Sequence, residues 1–227
     1  MLKCVFIKLF CNHLKVVKFS MSQHSIYRIY IKRAIDLFFS LALLTALLPI
    51  LFLVALLILI TMGFPILFKQ NRPGFHEMPF TLLKFRTMGF EKDASGELAS
   101  DMTRMTPLGK LLRRFSLDEL PQLINIALGQ MSFIGPRPLL LEYLPLYSAA
   151  QRKRHDVLPG ITGWAQVQGR NKMGWEERFE CDLWYVQNLS FALDIKITVL
   201  TLMQIVNGSG VNAEEGETMK KFTGSNS

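Results

Sequence analysis

The chain has 227 residues, of which 50% are hydrophobic and 19% are charged, and its formal net charge is +8. This length predicts one main domain, and so high a hydrophobic fraction excludes an intrinsically disordered protein. Residues 1–35 contain seven basic residues and no acidic one, whereas the rest of the chain carries 19 basic and 18 acidic residues. Because the excess charge ends where an apolar run begins, it indicates a membrane surface as the partner and argues against a nucleic acid.

The longest apolar run, residues 37–60, contains no charged residue. A helix over this run would reach roughly 36 Å, which is long enough to cross a bilayer core of about 30 Å. Leu48 and Pro49 lie near its middle, and a proline there removes a helical hydrogen bond and favours a kink. Basic residues flank both ends of the run, and basic residues prefer the cytoplasmic side. The residues alone leave two alternatives: a spanning helix, or a bent, re-entrant helix that returns to the same face.

After the apolar run, the pattern predicts a mainly helical domain with little β-structure. Two β-prone runs, 65–69 and 80–85, flank the turn signal Asn-Arg-Pro-Gly and predict a hairpin. Thr106 and Pro107 then begin a helix, whose apolar stripe would either pack in a core or lie flat on a membrane. The other predicted elements are a polar loop over 91–101, helices over 120–128, 143–157, 175–187 and 195–205, a rigid loop over 131–138, and an irregular or short-strand stretch over 161–169.

Asp118 and Glu119 are adjacent carboxylates at the predicted start of a helix. One interpretation is structural, because Ser116 and Glu119 have the spacing of a capping box. The other is functional, because a carboxylate pair can hold a divalent cation and an aspartate can attack phosphorus to form an acyl phosphate. Arg113, just before the pair, would favour a bound anion. The residues alone do not choose between these interpretations.

Two further arginines lie in short motifs that suit phosphate binding. Arg137 stands between Pro136 and Pro138, which restrict the backbone and orient the side chain, and a guanidinium offers a two-pronged fork to phosphate. Arg170 follows Gly169 in a segment that would either cup a phosphate or merely turn the chain. Each motif is weak evidence when taken singly.

In combination, the motifs are much more specific. In order along the chain they read KRAIDL (32–37), FKQNRPG (68–74), KFRTM (84–88), SLDELPQL (116–123), MSFIGPRP (131–138) and PGITGWAQVQGRN (159–171). This series closely resembles the monotopic phosphoglycosyl transferases, also called the bacterial sugar transferase family, over about residues 26–225. The segments EYLPLY (142–147) and SGV (209–211) most resemble members that use UDP-N,N′-diacetylbacillosamine.

The resemblance implies a mainly α fold with a small β-hairpin, in a monotopic membrane protein with an N-terminal re-entrant helix and interfacial amphipathic helices. The implied activity is transfer of a phosphosugar from a UDP-sugar to undecaprenyl phosphate, with release of UMP, on the cytoplasmic face of the bacterial inner membrane. We expect the product to pass to downstream glycosyltransferases. The implied segments are a dispensable basic extension over 1–25, the re-entrant helix over 26–68, the catalytic domain over 69–208 and a C-terminal tail over 209–227.

The resemblance also assigns roles to individual residues. Asp118 is implied to be the nucleophile that forms a covalent phosphosugar intermediate, and Glu119 is its partner near the metal. Both carboxylates are implied ligands of Mg²⁺. The implied substrate-binding residues are Lys84, Arg113, Arg137 and Arg170, and the implied membrane hairpin bends at Leu48 and Pro49.

Two kinds of alternative remain at this stage. The same chemistry could use another donor than UDP-N,N′-diacetylbacillosamine or a related N-acetylated sugar, such as UDP-galactose or UDP-N-acetylgalactosamine for a capsule or exopolysaccharide. A different class of function would be a non-catalytic, membrane-anchored scaffold in which the acidic pair only caps a helix.

Overall fold

The computed structural model describes residues 26–93, 96–169, 173–206 and 221–224. The predicted extension over 1–25, Arg170 and most of the tail over 209–227 lie outside the described residues. Within them, the chain is mainly helical and contains two small sheets. The predicted fold class is therefore confirmed in its secondary structure.

The apolar run folds into two helices with a sharp bend between them. A π-helical turn over Tyr27–Ile31 leads into α1 (Lys32–Ala46), and α2 (Leu48–Met62) follows after Leu47. The helices meet at 62°. No single helix among the described residues is long and apolar enough to span a membrane, although the bent pair passes that test by length and composition together. The predicted break is confirmed, with Pro49 in the first turn of α2, where its missing N–H costs no helical bond.

One face of the bent pair packs on the rest of the domain. Val54 and Ile58 of α2 are buried against Phe85 and Leu112. The opposite face leaves large apolar side chains uncovered, including Phe52 and Ile60, each about 70% exposed. Exposed apolar faces of this kind are typical of surfaces that contact another protein or a membrane.

The predicted hairpin is present, but its turn lies further along the chain than predicted. Strands β1 (Leu67–Pro73) and β2 (Pro79–Phe85) pair antiparallel, with Phe68 opposite Lys84 and Arg72 opposite Phe80. The turn is a 3₁₀ segment over Phe75–Glu77. The residues 71–73 of the predicted turn continue β1, since their backbones still find partners on β2.

The predicted rigid loop over 131–138 begins with a short strand. Strand β3 (Ser132–Ile134) pairs in parallel with β4 (Gly160–Thr162). The irregular or short-strand stretch predicted over 161–169 is therefore a strand only at its start, and the prediction is wrong for the rest, which forms a helix over Trp164–Gln168. The segments around β3 and β4 approach so closely that a Cβ added at Gly160 would lie 2.1 Å from the Gly135 nitrogen. Glycines at this contact allow the backbone that precedes Arg137 to pack directly on β4.

The predicted single helix over 143–157 is wrong. The segment forms a 3₁₀ turn over Leu141–Leu146, a short helix α6 (Ala149–Arg152) and a second 3₁₀ turn over Lys153–Asp156. Pro145 cannot donate a helical hydrogen bond. Ser148 instead caps α6: its hydroxyl accepts from the Gln151 N–H, and the Gln151 side-chain oxygen accepts from the Ser148 N–H.

The other predicted helices are confirmed. Thr106 caps the helix that begins at Pro107 by accepting from the Gly109 N–H. In that helix Leu112 is buried, while Leu111 and Phe115 are about half exposed, so the apolar stripe serves a core on one side and an uncovered surface on the other. The helices not yet given are α3 (Asp101–Arg104), α4 (Pro107–Arg114), α5 (Gln122–Ala127), α7 (Trp164–Gln168), α8 (Trp175–Asn188) and α9 (Phe191–Val206).

A buried polar network joins the bent pair to the C-terminal helix. Lys32 of α1 forms an ion pair with Asp194 of α9 (Nζ–Oδ2 2.6 Å), and Tyr27 and Tyr185 donate hydrogen bonds to the same carboxylate at 2.7 Å. Asp36 accepts from the Phe133 N–H in β3. The motif KRAIDL therefore fixes α1 to α9 through Lys32 and to β3, the strand that leads to Arg137, through Asp36.

Candidate active site

Asp118 and Glu119 lie in a short 3₁₀ turn between two helices. Helix α4 ends at Arg114, Ser116 adopts a left-handed conformation (φ 55°, ψ 22°), and the turn over Leu117–Glu119 follows. The structural interpretation of this segment as a capping box is wrong, because the Ser116 side chain makes no capping hydrogen bond. The left-handed residue ends α4 and turns both carboxylates toward the hairpin and the loop after β3.

Glu119 is held by two cations that come from distant parts of the chain. Lys84 of β2 and Arg137 of the loop after β3 both contact its Oε1 atom, each at 2.6 Å. Burial alone would disfavour the ionised carboxylate, but the charges and hydrogen bonds of Arg137 and Lys84 prevail and lower the pKa of Glu119 to about 2. The negative charge of Glu119 in turn raises the pKa of Arg137. Glu119 is therefore an ionised carboxylate whose Oε2 atom makes no hydrogen bond to the described residues.

Asp118 has a different environment although it is the neighbouring residue. Its side chain is buried, and no described residue donates a hydrogen bond to it. Burial raises the pKa of Asp118, and the charge of Lys84 partly offsets this effect. Its carboxylate is thus poorly solvated but close to positive charge, which is a suitable environment for a nucleophile that attacks a negatively charged substrate.

Arg113 completes the group of predicted residues that the fold brings together. It lies on the last turn of α4, is exposed, and donates from Nε to the Thr87 hydroxyl at 3.1 Å. Its charge reaches Asp118, where it favours the ionised form. The structure therefore assembles Lys84, Arg113 and Arg137 around the acidic pair, whereas Arg170 lies outside the described residues.

Sequence reasoning missed Arg86, which connects the site to the bent helix pair. Its guanidinium donates to the carbonyl oxygens of Met62 and Gly63 at the end of α2. A cation at a helix C-terminus satisfies carbonyls that have no partner within the helix. Only one residue separates Arg86 from Lys84. A basic residue directly after a strand that follows an apolar helix was the sequence feature that could have indicated this role.

Sequence reasoning also missed the ion pair that supports Arg137. Arg154 and Asp182 are both almost fully buried and contact each other at 2.6 Å. Arg154 also donates to the Arg137 carbonyl oxygen at 2.8 Å. This pair fixes the backbone from which the Arg137 side chain reaches Glu119, and no local pattern links these three residues.

The carboxylates of the site could serve as metal ligands only together with a substrate. The described residues contain no group of three or more His, Cys, Asp or Glu side chains placed to hold a metal ion. Within the described ranges, nevertheless, no residue donates a hydrogen bond to Asp118 or to the Oε2 atom of Glu119. Mg²⁺ is commonly bound through one or two carboxylates and completed by substrate phosphates and water, so this pair of donors fits that ion.

Asp118 is buried and receives no hydrogen bond from the part of the chain that the structure describes, its neighbour Glu119 is ion-paired, and arginine and lysine surround both. Such a group of residues is suited to an enzyme that acts on phosphate groups. Comparison with known proteins identifies which class of enzyme this is. The family model described as bacterial sugar transferase matches residues 27–208, and the chain belongs to that family. It is a phosphoglycosyl transferase.

Several relatives place the chain within the family. It is 48% identical over 195 residues to the uncharacterized sugar transferase EpsL of Bacillus subtilis, and the aligned region covers 86% of this chain and 96% of that relative. It is 38% identical over 186 residues to a UDP-glucose:undecaprenyl-phosphate glucose-1-phosphate transferase of Escherichia coli, covering 77% of this chain but only 40% of that protein. It is also 35% identical over 196 residues to the exopolysaccharide production protein ExoY of Sinorhizobium fredii, with 79% and 87% covered. None of these three names mentions diacetylbacillosamine, the sugar that the motif resemblance favours.

Proposed function

We propose that this protein transfers a sugar-1-phosphate from a UDP-sugar to undecaprenyl phosphate and releases UMP. The observation that supports this best is the contrast between Asp118, which is buried and receives no hydrogen bond from the described residues, and Glu119, which is held by Lys84 and Arg137. A scaffold that used the pair only to cap a helix would need neither feature, and the capping bonds are absent from this segment. Relatives named for transfer of glucose-1-phosphate to undecaprenyl phosphate support the same reaction.

In the first step, a carboxylate oxygen of Asp118 forms a bond to the β-phosphorus of the donor. The bond from that phosphorus to the oxygen bridging the two phosphates breaks, and UMP leaves with the electron pair. The guanidinium groups of Arg113 and Arg137 and the ammonium of Lys84 offset the charge of the diphosphate and of the leaving group. Because Asp118 has few solvating partners, little hydration has to be removed before it attacks.

In the second step, an oxygen of undecaprenyl phosphate forms a bond to the same phosphorus. The bond between Asp118 and phosphorus breaks, the carboxylate is regenerated, and the lipid-linked sugar diphosphate leaves. A two-step route needs only one phosphorylated substrate in the site at a time. This suits a reaction between a water-soluble donor and an acceptor whose phosphate is confined to a membrane surface.

Mg²⁺ is the cofactor that we propose for this site, held by Asp118 and Glu119 Oε2 together with the phosphates of the donor. When bound, it would supply positive charge that polarises a phosphoryl oxygen and stabilises the departing nucleotide. Lys84 and Arg137 both contact the Oε1 atom of Glu119, and no residue that the structure describes donates to Oε2, which supports this assignment.

We propose that the bent helix pair is a re-entrant membrane anchor that places the domain on the cytoplasmic face of the inner membrane. The exposed apolar face of α1 and α2 and the bend at Leu47 support this arrangement. The exposed apolar residues of α4 and α9 are suited to contact the membrane interface. A cytoplasmic site is also what the donor requires, because UDP-sugars are made in the cytoplasm.

The donor sugar is the least constrained part of the proposal. The motif resemblance favours UDP-N,N′-diacetylbacillosamine or a related N-acetylated sugar, whereas several relatives are named for glucose. UDP-galactose and UDP-N-acetylgalactosamine would use the same chemistry. In each case, the lipid-linked product would be extended by downstream glycosyltransferases.

The proposal is tested by incubating purified protein in lipid nanodiscs with Mg²⁺, undecaprenyl phosphate and, in separate reactions, each of these UDP-sugars. We expect UMP release with at least one donor, and the preferred sugar is the one that gives the highest rate. Release of UDP would show sugar transfer without the phosphate and would contradict the proposal. The Asp118→Asn variant serves as the control for contaminating nucleotide hydrolases.

A further inference from the structure

Arg72 lies on the same face of the hairpin as Lys84. In an antiparallel pair, residues directly opposite each other share a face, and so do residues two apart on one strand. Phe68 is opposite Lys84, Gln70 is opposite Leu82, and Arg72 is opposite Phe80. The register therefore puts Arg72 in the row of side chains that ends at the active-site lysine, whereas Lys69 of the same strand points to the opposite face.

The guanidinium of Arg72 is only partly satisfied. It donates to the Gln70 side chain at 2.6 Å and to the Pro138 carbonyl oxygen over a long 3.4 Å, and its Nε atom is buried without a partner. Among the described residues, no carboxylate forms an ion pair with Arg72. Arg72 is partly buried, and its unpartnered Nε is costly because a buried donor of a charged group that makes no hydrogen bond carries a desolvation penalty.

The group with the strongest electrostatic influence on Arg72 is another arginine. The carbonyl that Arg72 contacts belongs to Pro138, the residue that follows Arg137. Burial and the charge of Arg137 lower the pKa of Arg72 to about 10, against opposing effects of Tyr143, Tyr147 and Glu142, so Arg72 stays charged at neutral pH. A phosphate between the two arginines would relieve their repulsion and supply the missing acceptors.

We infer that Arg72 is a further substrate-binding residue, which together with Arg137 forms a two-arginine cradle for a phosphate group. The inference rests on the proposed function, since it names one more contact for the substrates of that reaction. Two substrates carry the required chemistry: the nucleotide, through the α-phosphate that leaves as UMP, and the lipid carrier, through its terminal phosphate. Arg137 already contacts Glu119, so the cradle lies next to the carboxylates and on the side of the hairpin.

The test compares wild type with Arg72→Gln, Arg72→Lys and the matched control Lys69→Gln in two reactions. The first is exchange of labelled UMP into the UDP-sugar without lipid carrier, which involves only the nucleotide. The second is the complete transfer with varied undecaprenyl phosphate. We expect Arg72→Gln to raise the KM for one substrate about 10- to 100-fold, the effect of losing a charged hydrogen bond, and Arg72→Lys to recover part of it. Lys69→Gln should change neither constant by more than about twofold.

The outcome also assigns the phosphate. Weaker UMP inhibition and a raised donor KM in the exchange reaction would assign the cradle to the nucleotide, whereas normal exchange with a raised KM for the carrier would assign it to the lipid phosphate. The inference is overturned if both KM values and the UMP inhibition constant stay within about twofold of wild type, including the case in which only kcat and thermal stability fall. If wild type itself releases no UMP from any donor, the proposed function has failed, which is a separate and recognisable result.

Discussion

Glu119 accepts ion pairs from Lys84 and Arg137 on a single oxygen, while the adjacent Asp118 accepts no hydrogen bond from the described residues. The pKa values of the two carboxylates therefore shift in opposite directions: that of Glu119 falls to about 2, and burial raises that of Asp118. Such divergence between two neighbouring acids commonly marks a division of labour in an active site. Here it separates an acid that organises the cations from an acid that is available to react.

Replacing Glu119 should therefore affect both stability and activity. In Glu119→Gln, Lys84 and Arg137 lose the charge that pairs them, and their mutual repulsion is no longer offset. We expect the free energy of unfolding to fall by about 1–3 kcal/mol, together with a large loss of UMP release. The measurement is chemical denaturation in detergent micelles alongside the transfer assay.

The matched control for this substitution is Glu77→Gln, which removes the acid of a more exposed ion pair with Arg152. Exposed pairs contribute at most about 1 kcal/mol, so this variant should retain both stability and activity. Equal effects of the two substitutions would contradict the organising role of Glu119.

The sequence was sufficient to predict the elements with a strong local pattern. The helix over 175–187 is present as Trp175–Asn188, and the hairpin and the bend near Pro49 are also present. The prediction of one helix over 143–157 was wrong because Pro145 interrupts helical hydrogen bonding and Ser148 caps a new, shorter helix. Strand β3 was not predictable as a strand, since it has three residues and its partner β4 lies far along the chain.

In the candidate site, too, residues in strong local motifs were predictable and residues that act through distant contacts were not. Asp118, Glu119, Lys84 and Arg137 were named from motifs, and the fold brings them together. Arg72 and Arg86 belong to the same motifs, but their roles depend on which face of a strand they occupy and on carbonyl groups from other segments. Only the three-dimensional structure supplies that information.

The bend between α1 and α2 gives a prediction about membrane topology. In Pro49→Ala, the restored amide can bond the Thr45 carbonyl, which favours one continuous helix long enough to span the bilayer. We expect part of the protein to move its N-terminus across the membrane. A single cysteine placed at Ile26 in an otherwise cysteine-free chain should then react with an impermeant maleimide in intact spheroplasts.

The control for the topology experiment is Leu48→Ala, which changes the same bend region but keeps the proline. In this control, the cysteine of Ile26→Cys should react with the impermeant maleimide no more than it does in the parent protein. Full labelling of the parent protein itself would mean that the helix pair spans the membrane and that the re-entrant anchor is wrong.

A buried histidine near the loop of Arg137 makes stability depend on pH. Burial and the charge of Arg154 lower the pKa of His155 to about 4 from an ordinary value of 6.5, and its Nε2 atom is buried without a partner. Between pH 6.5 and 4 the unfolded chain binds this proton and the folded chain does not, so stability falls as the pH decreases through that window. The full effect is about 3 kcal/mol.

His155→Gln removes this titration. The difference in the free energy of unfolding between wild type and variant should therefore shift by up to about 3 kcal/mol, in favour of the variant, as the pH falls from 7 to 4. Denaturant titrations of both proteins at several pH values provide the measurement. A constant difference across the range would show that His155 is protonated equally in the folded and unfolded chains.

The central step of the proposed mechanism is the covalent attachment of the phosphosugar to Asp118. The most direct measurement is rapid-quench analysis of enzyme mixed with the preferred UDP-sugar in the absence of undecaprenyl phosphate, combined with intact-protein mass spectrometry. We expect a burst of up to one UMP per enzyme, a mass increase equal to one phosphosugar, and the loss of both in Asp118→Asn. Release of UMP only when the lipid acceptor is present, with no change in protein mass, would contradict it.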